Sequence, residues 1–185
     1  RPLSDAEELA ERLHALGHTT FIEPLIDITF SEGMALDLDG VQALLFTSAN
    51  GVRAAARRTI ERTIPVLAVG PATGAEARAL GFTNVSESSG EGVDALALTV
   101  RKQLNPARGT LLHITGTATA GDLKAALAPS GFTVRTEQLY DARAADSFSD
   151  PFTAELTAGR IDAATFFSQR TADRFVTLSR AASLE

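Results

Sequence analysis

The chain has 185 residues, of which 44% are hydrophobic and 22% are charged, enough to bury the core of one large domain or two small ones. It contains no run of about 20 apolar residues that would predict a membrane span, and it has no cysteine, which excludes disulfides and thiolate chemistry. The net charge of −6 argues against nucleic-acid binding, because neutralising phosphates usually requires a basic face. We therefore expect neither a nucleic-acid nor a membrane partner.

The first predicted element is a helix over residues 4–16, where apolar residues recur at helical spacing until Gly17 ends the pattern. The segment 19–30 that follows is predicted to be extended, with Pro24 inside it. From residue 41 onward, short apolar runs alternate with helical patterns. Strands are predicted over 41–47, 65–69, 83–86, 110–115 and 133–140, and helices over 50–60, 73–80, 91–104 and 119–128.

This alternation predicts a parallel sheet with helices on both faces, because parallel strands need crossover connections. Five strands and four helices make a complete doubly wound α/β domain of the flavodoxin-like type, which we place at residues 31–136. Three residues at the end of the first strand recur near the C-terminus, which suggests a second, similar domain: Ala43, Phe46 and Ser48 match Ala163, Phe166 and Ser168.

The two ends of the sequence together supply too few strands for a second complete sheet. After Tyr140, the polar segment "DARAADSFSD" leads to a short helix, a strand predicted over 161–167 and a helix predicted over 170–180. We therefore expect residues 1–30 and 137–185 to form linker strands and a partial second α/β domain. The first domain would then be inserted into the second.

The loops that follow the predicted strands are candidates for an anion site. Ligands of open α/β sheets bind beyond the carboxyl ends of the strands. There the loops are small and polar, each precedes a helix, and their free N–H groups favour carboxylates or phosphates. Helix capping is the open alternative for their hydroxyls: Thr73 with Glu76 has the capping-box spacing, and Ser48 and Ser168 each precede a predicted helix.

Few residues of the sequence have the spacing of a catalytic or metal site. His14 and His18 are predicted at the surface and His113 inside a strand, and we find neither a metal-binding spacing nor a Gly-x-Ser-x-Gly elbow. Tyr140, the only tyrosine, ends the last strand of the predicted domain, where packing and catalysis are both open readings. Arg1 and Arg170 are candidates for contacting an anion.

Five stretches resemble the uroporphyrinogen-III synthase family in order and approximate spacing: "RPLSDAEELAERLHALGH", "FTSANGVRA", "AVGPATGAEARALGF", "LYDA" and "FFSQRTADRF". The resemblance implies two α/β domains joined by a two-stranded linker, here near 24–30 and 137–143, with the active site in the cleft between the domains. It implies cyclisation of the linear tetrapyrrole hydroxymethylbilane to uroporphyrinogen III, with inversion of the last pyrrole ring and loss of water. No metal or organic cofactor is implied.

The resemblance also implies roles for individual residues. Tyr140 of "LYDA" falls on the position suggested to help the substrate hydroxyl leave as water. The substrate carries eight carboxylates, and we expect seven residues to bind it: Ser48, Asn50, Thr73, Gly116, Ser168, Arg170 and Arg1. Catalysis would rest mainly on holding a flexible chain with its ends together.

The family pattern extends beyond both ends of the sequence, so we expect a part of a longer protein. We also expect a cytoplasmic monomer. An alternative from another class is a non-catalytic α/β module that senses a carboxylate or phosphate ligand. Such a module would keep the same loops but would not need a tyrosine at the site.

Overall fold

The computed structural model describes residues 3–90, 92–117 and 121–182, with side chains from residue 6 onward. The chain divides into two compact units. The first unit contains the residues up to Ile28 and those from Ala142 onward, and the second is Thr29–Asp141.

The described residues contain six strands: β1 Ile26–Phe30, β2 Val41–Phe46, β3 Val66–Ala68, β4 Val85–Glu87, β5 Thr110–Gly116 and β6 Val134–Ala144. The same residues form seven α-helices: α1 Leu3–Ala15, α2 Ala49–Arg58, α3 Gly70–Ala79, α4 Gly92–Gln103, α5 Leu123–Leu127, α6 Asp150–Thr157 and α7 Gln169–Ala181. Short 3₁₀ turns lie at Pro106–Arg108 and Ala128–Ser130.

The strands form one mostly parallel sheet in the order β1-β6-β5-β2-β3-β4. All pairs among β2 to β6 are parallel. β1 pairs with β6 in the antiparallel sense, because the N–H of Ser31 donates to the carbonyl of Leu139 while that of Ala145 donates to Leu25. The chain passes from one unit to the other within these two strands.

The α/β class with a parallel sheet is confirmed, but the strand order is not that of flavodoxin. Numbered along the chain, the five parallel strands follow the order 3-2-1-4-5, whereas the flavodoxin order is 2-1-3-4-5. The alternation of strands and helices predicts parallel pairing, but it contains no information on which strand lies beside which. The order determines where the connections diverge, and hence where a ligand site can form.

Apolar side chains pack on both faces of the sheet because successive residues of a strand point to opposite sides. From β2, Ala43 and Leu45 join a core with α4 and α5. Leu44 and Phe46 point to the other face, where the Phe46 ring lies 6.2 Å from that of Phe82. Helices α2 and α3 lie on that side: α2 buries Val52, Ala54 and Ala55, and α3 buries Ala77.

The first unit has a separate core built around phenylalanine rings. Phe148 lies 5.1 Å from Phe152 and 5.4 Å from Phe175, measured between ring centroids, and Leu25 and Leu178 complete the cluster. The strand predicted over 161–167 was wrong: these residues are not in a strand and are mostly exposed. A strand needs a neighbour to pair with, and none of the described residues pairs with this segment.

Candidate active site at the switch point of the sheet

The connections of the sheet diverge at β2. From β2 the chain builds β3 and β4 on one side, and it then crosses to build β5 and β6 on the other side. The carboxyl ends of β2 and β5 therefore lie side by side. A switch point of this kind is where α/β proteins bind ligands in a crevice, and we call the space beyond these two strand ends the candidate crevice. Ser48 follows β2, and Gly116 is the last residue of β5.

Three residues singled out from the sequence meet at this point. The hydroxyl of Tyr140 lies 2.8 Å from Oγ of Ser48, and the tyrosine ring covers the backbone of Gly116. Tyr140 is only 8% exposed. The phenol is therefore held beside the end of β2, although its backbone belongs to β6, two strands away.

Ser48 fulfils a structural role at the same time. It is the N-cap of α2, and its Oγ accepts a hydrogen bond from the N–H of Gly51 at 3.2 Å. A hydroxyl oxygen has two lone pairs and one proton, so one serine can cap the helix and still bond to the phenol. The capping interpretation and the site interpretation of Ser48 are thus compatible.

The side-chain carbonyl of Asn50 is hydrogen-bonded to another residue of α2. Its Oδ1 accepts a hydrogen bond of 3.2 Å from Arg53, whose guanidinium also forms a two-pronged ion pair with Glu76 at 2.8 and 3.1 Å. This pair joins α2 to α3 beside the crevice. Nothing in the sequence spacing of Arg53 and Glu76 indicates that α2 and α3 are neighbours, so this ion pair could not be predicted.

The prediction that Thr73 and Glu76 form a capping box was wrong. Helix α3 begins at Gly70, with Val69 at the N-cap position, so Thr73 lies inside the helix and is buried. Gly70 has a left-handed φ of 68°, and the following Pro71 favours a helix start. Since the side chain of Val69 cannot cap, N–H groups of the first turn remain available to an anion.

His113 lies in β5, three residues before Gly116, and is buried as predicted. Burial lowers the pKa of its imidazole below the ordinary 6.5, and the nearby carboxylate of Asp122 opposes this shift only in part. Its Nε2 lies 3.5 Å from the hydroxyl of Thr47, the residue before Ser48. His113 is therefore a neutral residue beneath the site at pH 7.

The remaining candidate residues belong to the first unit or lie outside the residues that the structure describes. Ser168 is the N-cap of α7, accepting from the N–H of Thr171 at 3.2 Å. Arg170 donates to the carbonyl of Ala142 at 2.7 Å. Arg1 lies outside the described residues.

The described part of the chain contains no group of three or more His, Asp or Glu residues arranged to hold a metal ion. In the same residues, no helix is long and apolar enough to cross a membrane.

The strand order defines a doubly wound α/β protein whose candidate ligand site is the switch point of its sheet. A family model described as uroporphyrinogen-III synthase HemD matches residues 7–185. The chain therefore belongs to the uroporphyrinogen-III synthase family, the cyclising lyases that act on hydroxymethylbilane in tetrapyrrole biosynthesis.

Solved structures support the same fold. The uroporphyrinogen-III synthetase of Helicobacter pylori is 17% identical with a TM-score of 0.58, and the match covers 87% of this chain and 75% of that one. A mutant uroporphyrinogen III synthase of the extremely thermophilic bacterium Thermus thermophilus is 18% identical with a TM-score of 0.54, over 93% and 72% of the two chains. The comparison with curated proteins found no match.

Proposed function

We propose that this chain converts hydroxymethylbilane to uroporphyrinogen III, with inversion of the last pyrrole ring, and that the hydroxyl of Tyr140 is its acid. The observation that carries the proposal is the phenol held against Ser48 at the switch point. The C–O bond of the substrate's hydroxymethyl group breaks, and the departing hydroxyl takes the phenolic proton and leaves as water. For the last ring to invert, its substituted α-carbon first bonds to the resulting cationic carbon, and the bond that joins this ring to the methylene carbon of its neighbour then breaks. The free α-carbon of the inverted ring bonds to that methylene carbon and then loses a proton, which restores the phenol.

Binding of the eight substrate carboxylates would rest on backbone N–H groups rather than on lysines. Support comes from the start of α3, where Val69 offers no side-chain cap, and from the small residues around the crevice. We keep the seven residues predicted from the sequence as candidates for this role: Ser48, Asn50, Thr73, Gly116, Ser168, Arg170 and Arg1. Orientation of the flexible substrate would supply most of the acceleration.

We also propose how the chain divides into domains. Residues 31–136 would form one α/β domain, and 1–30 with 137–185 would form the linker strands and part of a second α/β domain. The passage of the chain between the two compact units within β1 and β6 supports this division. We further propose that the protein works as a cytoplasmic monomer without a cofactor.

Product analysis tests the proposed reaction. Purified protein is mixed with hydroxymethylbilane, the products are oxidised, and the uroporphyrin isomers are separated by chromatography. Because the substrate closes to isomer I without an enzyme, isomer III above a protein-free blank is the expected result. A mixture that contains only isomer I, formed at the rate of the blank, would contradict the proposal and favour a non-catalytic ligand-binding module.

A further inference from the structure

The pairing of β5 with β6 contains an irregularity beside the site. From Leu111 to Thr115 the pairing advances by one residue on both strands at each step, from Leu111 opposite Val134 to Thr115 opposite Gln138. Gly116 then lies opposite Tyr140, so Leu139 is an extra residue in β6. This is a β-bulge, a feature that changes the direction of the side chains that follow it.

The burial of β6 shows the consequence of the bulge. Side chains of a regular strand alternate between its two faces, yet Leu139 and Tyr140 are consecutive and both buried. Without the extra residue, Leu139 would stand opposite Gly116. The bulge therefore brings the tyrosine to the end of β5.

Gly116 provides the space that the tyrosine ring occupies. A Cβ atom at this position would lie 2.6 Å from Cε2 of Tyr140, 2.8 Å from Cζ and 3.0 Å from Cδ2. Its φ is not in the left-handed region, so its backbone conformation does not call for glycine. The absence of a side chain allows the ring to cross β5 toward Ser48.

Two further contacts fix the ring. The ring of Phe30 in β1 lies 6.4 Å from that of Tyr140 between centroids, and the guanidinium of Arg57 lies 4.3 Å from the centroid of Phe30. Ser48 binds the hydroxyl at the far end of the ring. We call Gly116, Leu139, Phe30 and Ser48 the tyrosine seat.

We propose that Gly116 is a positioning residue that acts through Tyr140: its missing side chain, together with the bulge at Leu139, places the phenol at the reacting hydroxyl. This inference rests on the proposed role of Tyr140. Of the seven substrate-binding candidates, Gly116 would then affect the reaction through the tyrosine ring and not by its own contact with the substrate. Any side chain at residue 116 would displace the ring and withdraw the acid from the site.

The first measurement reports the position of the Tyr140 ring and does not depend on enzymatic activity. The chain contains one tyrosine and no tryptophan, so its ultraviolet fluorescence reports the environment of Tyr140. We expect Gly116→Ala to increase the quenching of this fluorescence by acrylamide at least twofold. Gly90→Ala is the matched control, because Gly90 also lies outside the left-handed region and its Cβ would meet only the Ala95 methyl group.

The second measurement is a double-mutant cycle on the rate of isomer III formation. We expect Gly116→Ala to slow the reaction about as much as Tyr140→Phe does, by about 100-fold or more. In the Tyr140→Phe background the same change should cost less than about threefold, because the hydroxyl that it misplaces is already absent. Equal factors in both backgrounds would show that Gly116 acts independently of the phenol and would overturn the inference.

Two other results, an unchanged rate in Tyr140→Phe and a Gly116→Ala variant that does not fold, also test the inference. If Tyr140→Phe keeps the wild-type rate, the proposed role of Tyr140 and this inference both fail, while the quenching data still show whether the seat exists. If Gly116→Ala does not fold, Gly116→Ala with Tyr140→Leu should restore folding, since the smaller side chain vacates the space. Failure of this double variant to fold would contradict the seat.

Discussion

At the scale of single residues, the site gives one side chain two roles. The N-cap serine of α2 also holds the phenol, so the polar atoms that start the helix are the ones that orient the proposed acid. The serine could be predicted from the sequence, since it follows an apolar strand and opens a helix pattern. Its partnership with Tyr140 could not, because it depends on the bulge in β6 and on the order of the strands.

Replacing Ser48 by alanine should remove both roles. We expect a loss of about 1 kcal/mol of unfolding free energy from the lost cap, measured by urea denaturation, together with altered Tyr140 fluorescence. Ser168→Ala is the matched control, because Ser168 caps α7 at the same 3.2 Å but bonds to Thr171. A fluorescence change of equal size in both variants would contradict the contact between Ser48 and Tyr140.

The lowered pKa of His113 predicts a pH dependence of stability. Above pH 6.5 the imidazole is neutral in both the folded and the unfolded chain, so its protonation does not change the free energy of unfolding there. As the pH falls below 6.5, the unfolded chain binds the proton first, so the folded state loses stability. We expect His113→Asn to lose less unfolding free energy between pH 7 and pH 5 than the parent protein.

The control for this prediction is His18→Asn, which changes an exposed histidine. Urea midpoints at a series of pH values give the comparison. If the urea midpoints of both variants and of the parent protein fall equally as the pH is lowered, the protonation of His113 does not contribute to the pH dependence of stability, and the prediction is wrong.

At the scale of elements, local patterns identified most strands and helices, and long-range pairing accounts for what they missed. The four helices between β2 and β6 were predicted because helical patterns alternate with short predicted strands in this part of the sequence. The segment 161–167 has the pattern of a strand but no partner among the described residues, so its pattern alone did not make it one. The strand order and the bulge at Leu139 arise from contacts between residues far apart in sequence, which periodicity does not report.

The ion pair between Arg53 and Glu76 should hold α2 against α3. Each side chain is 23% exposed, and two-pronged geometry makes the pair stronger than an ordinary surface pair. We expect a coupling of about 0.5–1 kcal/mol in a cycle of Arg53→Met, Glu76→Gln and the double variant, from urea denaturation. A coupling near zero would show that the helices are held by their apolar contacts alone.

At the scale of the whole molecule, the two compact units have separate apolar cores. Phe152→Ala should remove the centre of the phenylalanine cluster and cost about 3–5 kcal/mol within the first unit. We expect faster hydrogen exchange for the amides of α6 and α7 while those of β2 and β5 keep their protection. Equal loss of protection in both units would mean that they unfold as one.

The rate at which Tyr140→Phe forms uroporphyrinogen III tests whether the phenol is the acid of the reaction. This change keeps the ring on Gly116 and removes only the hydroxyl bonded to Ser48. We expect folded protein by circular dichroism and a rate lowered by about 10²–10⁴-fold, with isomer III still the enzymatic product because orientation of the substrate remains. A Tyr140→Phe protein that forms isomer III at the parent rate would contradict this role of the phenol.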